Sequence, residues 1–379
     1  MPTSTRHTHS QYMLQLDSLR AFAVLAVLIH HFYPVSESMG LGYYGVRLFF
    51  VLSGFLITGI LLDSRNRTEQ LGQGKISACC QFYARRTLRI APVYYVALLL
   101  AMVAGNTDVL SGAWWYATYM SNLLFIKLGF YPSTTAHLWS LAVEAQFYLI
   151  WPFVMLFMAK QRIHWVIVLT IVAAPFYRYI ATLGSHEGVE FYTFTLSSID
   201  SLGWGALLAW LIHNKKDIPG LQSTGRGLFL FLPMMTPLLM DTTYFYVFDN
   251  TLLSIAFIWF VAGAAKGFTG PVGIIMNWKP LLYIGKISYG VYLYHLFIPW
   301  ALYEVWGITQ TEHVLVNMVM LMISTILVAS LSWHVLEKPI NRLKKYFPYP
   351  EATPQVHKSP ASNHNIRDWD FQQNYSITK

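Results

Sequence analysis

Ten stretches of about 20 mostly apolar residues limit what this chain can fold into, because each is long enough as a helix to cross ~30 Å of hydrocarbon. They run over Leu14–Val35, Leu41–Leu62, Thr87–Gly105, His137–Met158, His164–Leu183, Phe191–Ile212, Leu228–Met240, Val247–Ala265, Leu281–Tyr303 and Val314–Leu336, and most of the loops between them are short and polar. The seventh is interrupted by Pro233 and Pro237. One such stretch fits the core of a soluble protein; ten in succession do not. Only 12% of the residues are charged, about half the share of a typical soluble domain. The 16% aromatic content rules out disorder. The sequence therefore predicts an all-α integral membrane protein with about ten transmembrane helices.

The basic residues orient it. With the N-terminus placed in the cytoplasm, twenty of the 26 Lys and Arg fall on inner segments and one, Lys127, on an outer loop, where Glu37, Asp108, Glu187, Glu190, Asp241, Glu304 and Glu312 collect. The excess of cations on the inner side sets topology, so both termini are expected in the cytoplasm. The net charge of +8 then reflects orientation and not a nucleic-acid surface. The expected organisation is a cytoplasmic segment (1–13), a transmembrane domain (14–347) and a polar, disordered cytoplasmic tail (348–379). The first span carries Asp17 and Arg20 with no cleavage signal after it, so it reads as a retained helix. Cys79 and Cys80 face a reducing compartment and should be free thiols. The aromatic stretch Asn106–Ala136 suits a segment lying at the membrane surface or folded back over the bundle.

Ionisable residues inside spans are costly and mark candidate sites. In the first span, Arg20 and His31 are eleven residues apart, about three turns, so they share one face ~16 Å apart, with Asp17 below Arg20. Glu144 lies a couple of turns into the fourth span, near the depth of His31. A carboxylate and an imidazole at one level are the parts of a general-base pair; each is also explained by pairing or bonding within the bundle. Arg86 and Arg89, three apart at the start of the third span, suit phosphate, whereas Arg85 is explained by topology alone. Ser288, Tyr292 and His295 form a second polar stripe. Gly45, Ser53 and Gly54 read as small residues for close helix packing. Arg178, Asp200 and Asp249 read as structural pairs. No zinc-ligand spacing, nucleotide-binding glycine loop or nucleophile elbow is present, so no metal is expected.

The motifs LDSLRAFAVLAVLIHHF, GVRLFFVLSGFLIT, RRTLR, SLAVEAQFY and SYGVYLYH, in this order on ten spans, resemble the membrane-bound acyltransferase-3 family of bacterial O-acyltransferases over about Leu14–Phe347. The chain differs where the family often has an acid and it has Arg47, and no role is carried to that position. It also resembles the stand-alone form, without an appended hydrolase-like domain.

The resemblance implies a multi-pass O-acetyltransferase of the bacterial inner membrane. Acyl-CoA, most often acetyl-CoA, would be drawn from the cytoplasm, and the acceptor would be a carbohydrate, glycolipid or macrolide hydroxyl at the outer side. Arg86 and Arg89 would hold the donor phosphates with help from Arg20, which pairs with Asp17. His31, supported by Glu144, would act as base for direct attack on the thioester; an acyl-histidine intermediate is the other route. A transporter or channel using the polar stripes as a path is the reading from a different class.

Overall fold

The computed structural model describes residues 13–33, 40–183, 188–216, 220, 223–228, 230 and 243–349. Among them there is no strand, and seven helices are long and apolar enough to cross a membrane. The expected seventh span, Leu228–Met240, lies almost wholly outside the described residues, as do the N-terminal twelve and the tail from 350.

The bundle begins with α1 (Leu14–Phe32), α2 (Leu41–Gln70) and α3 (Lys75–Val103). Apolar on every side, α2 is the hub: 89% of its most hydrophobic window is buried, against 22% for the span Val314–Tyr346 at the periphery. Small residues let backbones meet around this hub. A Cβ at Gly54 would overlap the Leu202 carbonyl oxygen, and one at Gly205 would overlap that of Val51, so α2 and α10 (Thr195–His213) lie in backbone contact.

The expected outer stretch folds back as three short helices, α4 (Thr107–Ser111), α5 (Ala113–Ala117) and α6 (Ser121–Leu128). Asn106 caps α4 by accepting the Val109 amide. The lobe is anchored by the buried rings of Tyr116 and Phe125, with the Tyr116 hydroxyl 2.7 Å from that of Thr135. It leads into α7 (Leu138–Phe157) and α8 (Lys160–Leu183). A short α9 (Val189–Thr193) precedes α10, and α11 (Thr243–Lys266) follows the second undescribed region.

The expected ninth span is not one continuous helix. After α12 (Gly270–Met276) it is divided into α13 (Lys279–Lys286), α14 (Ser288–Tyr294), α15 (Phe297–Trp300) and a π-helical turn, Ala301–Val305. Two causes meet at the break after Tyr294. Pro299 lacks an amide hydrogen and its ring crowds the carbonyl four residues back, at His295. The His295 side chain also takes over the Tyr292 carbonyl that the next turn would use, at 2.6 Å. The chain continues through α16 (Val314–Ser332), a π turn Trp333–Glu337, α17 (Lys338–Asn341) and a 3-10 turn Arg342–Tyr346.

Candidate active site

A cavity of about 710 Å³, partly open to solvent, runs between α1, α2, α3, α7 and α14. It brings together four of the residues expected at the site: Arg20, Arg86, Arg89 and Glu144. Asp17 sits beside it, its carboxylate 2.5 Å from a terminal nitrogen of Arg20, and so fixes that guanidinium from one turn away. Arg86 packs its guanidinium 4.4 Å from the centre of the Tyr148 ring. The cavity is cationic where α1 and α3 line it, and α2 adds the apolar side chains of Phe49, Leu52 and Leu56 to its wall.

Glu144 accepts a hydrogen bond from the Ser53 hydroxyl at 2.5 Å, and Tyr148 donates to Ser53 at 3.0 Å. Gly54 does serve close packing, but its neighbour Ser53, read with it as a packing residue, instead faces the cavity and orients the carboxylate. The hydroxyls of Ser140 and Tyr292 lie 2.5 Å apart on the cavity wall. From the expected second stripe, Ser288 and Tyr292 line this space, whereas His295 points beyond it.

His31 stands in a separate layer of imidazoles. Its ring centre is 5.0 Å from that of His30 and 4.9 Å from that of His295, which is in turn 4.7 Å from His137. Its ring contacts are thus with His30 and His295, while Glu144 accepts from Ser53. Tyr292 links the layers: its hydroxyl lines the cavity and donates to the His137 carbonyl at 3.1 Å, and its ring lies 5.3 Å from that of His295.

Backbone carbonyls set the tautomers, since a carbonyl can only accept. His31 donates from Nδ1 to Val27 at 2.9 Å, which leaves the lone pair of the neutral ring on Nε2. His295 donates from Nδ1 to Tyr292, and His137 from Nε2 to Leu293 at 2.9 Å. The remaining nitrogens, His295 Nε2 and His137 Nδ1, are buried and have no hydrogen-bond partner among the described residues. His137 was missed in the sequence because it opens a span, where a histidine reads as an interfacial residue. No group of His, Cys, Asp and Glu among the described residues is arranged to hold a metal ion.

The other charges sort differently. Arg85 donates to the backbone carbonyls of Lys344 at 3.0 Å and Phe347 at 3.1 Å. Arg178 and Asp200, both fully buried, pair at 2.8 Å, and Arg178 also bonds the Val247 and Ser197 carbonyls and Thr251. Asp249 accepts from Tyr43 at 2.6 Å. Arg47 is fully buried among the rings of Tyr43, Phe50 and Trp139, and none of its guanidinium nitrogens has a hydrogen-bond partner among the described residues. Cys79 and Cys80 are free thiols.

Seven helices long and apolar enough to cross a membrane, around a cavity lined by three arginines and a carboxylate, define the class as a multi-pass membrane protein. Residues 13–334 match the family described as the acyltransferase domain, and the chain belongs to that family of enzymes. It is 29% identical over 372 residues to the peptidoglycan O-acetyltransferase OatA of Listeria monocytogenes, an alignment covering 90% of this chain and 58% of that protein. YrhL of Bacillus subtilis, provisionally named a peptidoglycan O-acetyltransferase, is 30% identical over 381 residues, covering 88% of this chain and 55% of YrhL. SAS0844 of Staphylococcus aureus, provisionally named an O-acetyltransferase, is 30% identical over 326 residues, covering 77% and 51%. The chain thus spans little more than half the length of these relatives. No solved structure matches it.

Proposed function

We propose that this protein is an inner-membrane O-acetyltransferase with about ten spans and both termini in the cytoplasm, which moves an acetyl group from cytoplasmic acetyl-CoA to a carbohydrate hydroxyl at the outer side. The observation that carries this reading is the cavity lined by Arg20, Arg86, Arg89 and Glu144, with Tyr292 and Ser140 on its wall. Guanidinium groups match phosphate oxygens with forked, charge-assisted hydrogen bonds. The apolar side chains of Phe49, Leu52 and Leu56 suit the methylene and dimethyl segments of a pantetheine arm. The named activity of OatA and its relatives points to peptidoglycan, or a glycan like it, as acceptor.

In this scheme the acceptor hydroxyl meets Nε2 of His31, the nitrogen left with a lone pair once Nδ1–H is committed to Val27. As the base removes the proton, the hydroxyl oxygen attacks the thioester carbon. The carbon–sulfur bond then breaks, and the CoA thiolate leaves with the proton returned from the imidazolium. Glu144, held by Ser53, faces the cavity and offsets the positive charge that develops on the imidazole. Asp17 keeps Arg20 extended toward the donor.

The test is thiol release from acetyl-CoA by the protein in nanodiscs, with a panel of envelope glycans as acceptors and His31→Ala beside the wild type. Acceptor-dependent release that disappears in the variant supports the scheme; equal release by both proteins refutes the role of His31. A transporter would bind or move a solute without forming CoA or an acetylated product, and that outcome would overturn the proposal itself.

A further inference from the structure

A second, smaller cavity of about 280 Å³ shares Arg86 and Arg89 with the first. Arg85, Lys344 and Tyr349 complete its polar lining. Four cations thus border a small space, and the charges acting most strongly on Lys344 are those of Arg89, Arg85, Arg86 and Glu337, three of them positive. Lys344 is 8% exposed, and among the described residues no carboxylate lies within ion-pair distance of it.

Its backbone is held in place: Arg85 ties the chain at Lys344 and three residues beyond it through the Lys344 and Phe347 carbonyls, and stacks 4.6 Å from the centre of the Tyr349 ring. A buried ammonium held next to three guanidinium groups is strongly disfavoured unless an anion joins them.

We infer that Lys344 holds the 3′-phosphate of a coenzyme A donor, and that the segment Arg342–Tyr349 forms the nucleotide end of the donor site. The inference rests on the donor reading given above. Arg86 and Arg89, common to both cavities, take the pyrophosphate; the pantetheine arm runs into the larger cavity; and the 3′-phosphate reaches the smaller one, beside Tyr349. The donor class follows. The site selects a free nucleotide thioester over one carried on pantetheine alone, because only the nucleotide brings an anion to Lys344.

The experiment compares binding of CoA, 3′-dephospho-CoA and pantetheine to the full chain in nanodiscs, by competition against labelled acetyl-CoA, so that no acceptor is needed. The wild type should prefer CoA over 3′-dephospho-CoA by about 10- to 100-fold, the range of one charge-assisted contact. Lys344→Gln should erase that preference by weakening CoA while leaving 3′-dephospho-CoA binding unchanged, and Lys344→Arg should keep most of it. Retained 3′-dephospho-CoA binding also reports that the variant is folded. A wild-type ratio near one, or an undiminished preference in Lys344→Gln, overturns the inference alone. Failure of the wild type to bind acetyl-CoA at all overturns the donor reading and this inference with it.

Discussion

Two of the buried polar clusters among the described residues are built in opposite ways. Around Arg178 and Asp200, the guanidinium and carboxylate pair with each other and with Val247, Ser197 and Thr251. In the imidazole layer, His295 Nε2 and His137 Nδ1 have no hydrogen-bond partner among the described residues. An unsatisfied buried acceptor costs about 1–3 kcal/mol, so the second cluster is stable only at the expense of the fold around it. A saturated network holds helices together; an unsaturated one leaves polar atoms with capacity for a further partner.

The largest expected effect separates the two clusters most cleanly. His31→Ala should lower acetyl transfer by roughly 10²–10⁴-fold, the usual contribution of a general base, with no fall in the amount of folded protein recovered from the membrane. Substantial remaining activity would move the base elsewhere in the imidazole layer. Arg178→Met should do the reverse, lowering the thermal midpoint in detergent by stranding Asp200 at a cost of about 3–5 kcal/mol, while the turnover of molecules that remain folded is unchanged. The double variant Arg178→Met/Asp200→Leu should regain most of that stability, and a shift in donor KM in either would break the comparison.

Smaller effects sharpen it within the cavity. Arg89→Gln should raise the KM for acetyl-CoA about 10- to 100-fold through the loss of one charge-assisted contact, with kcat little changed. An equal loss in kcat would mean that the guanidinium acts on the transition state. Ser53→Ala should cost about 1 kcal/mol, roughly fivefold in kcat/KM, by loosening Glu144. No change on steady-state assay would reduce Ser53 to a packing residue after all.

Most of this was legible in the sequence wherever the signal is periodic. Seven of the expected spans are matched by long apolar helices, because hydropathy over 20 residues is a property of composition. Counting turns groups Arg20, Arg86 and Arg89 at the inner ends of their helices but sets Glu144 at the depth of His31, whereas Glu144 lines the cavity with the arginines. What eluded the sequence depends on pairings between helices. Nothing in the string links Ser53 to Glu144, 91 residues away, or gathers His31, His137 and His295 into one layer. The division of the ninth span escaped as well, because a proline and a side chain capturing a backbone carbonyl leave average hydropathy untouched.

The backbone contact between α2 and α10 has a mechanical consequence. Where glycine lets a helix rest directly on a neighbour's carbonyls, no side chain lies between them to repack, so the pair resists rolling and sliding. Helices packed through large side chains yield by rotamer changes, and a helix already divided yields by pivoting at its breaks. The Gly54–Gly205 crossing is therefore the stator of the molecule. The divided stretch from Lys279 to Val305, which carries Tyr292 and His295, is by contrast a part whose breaks let it pivot.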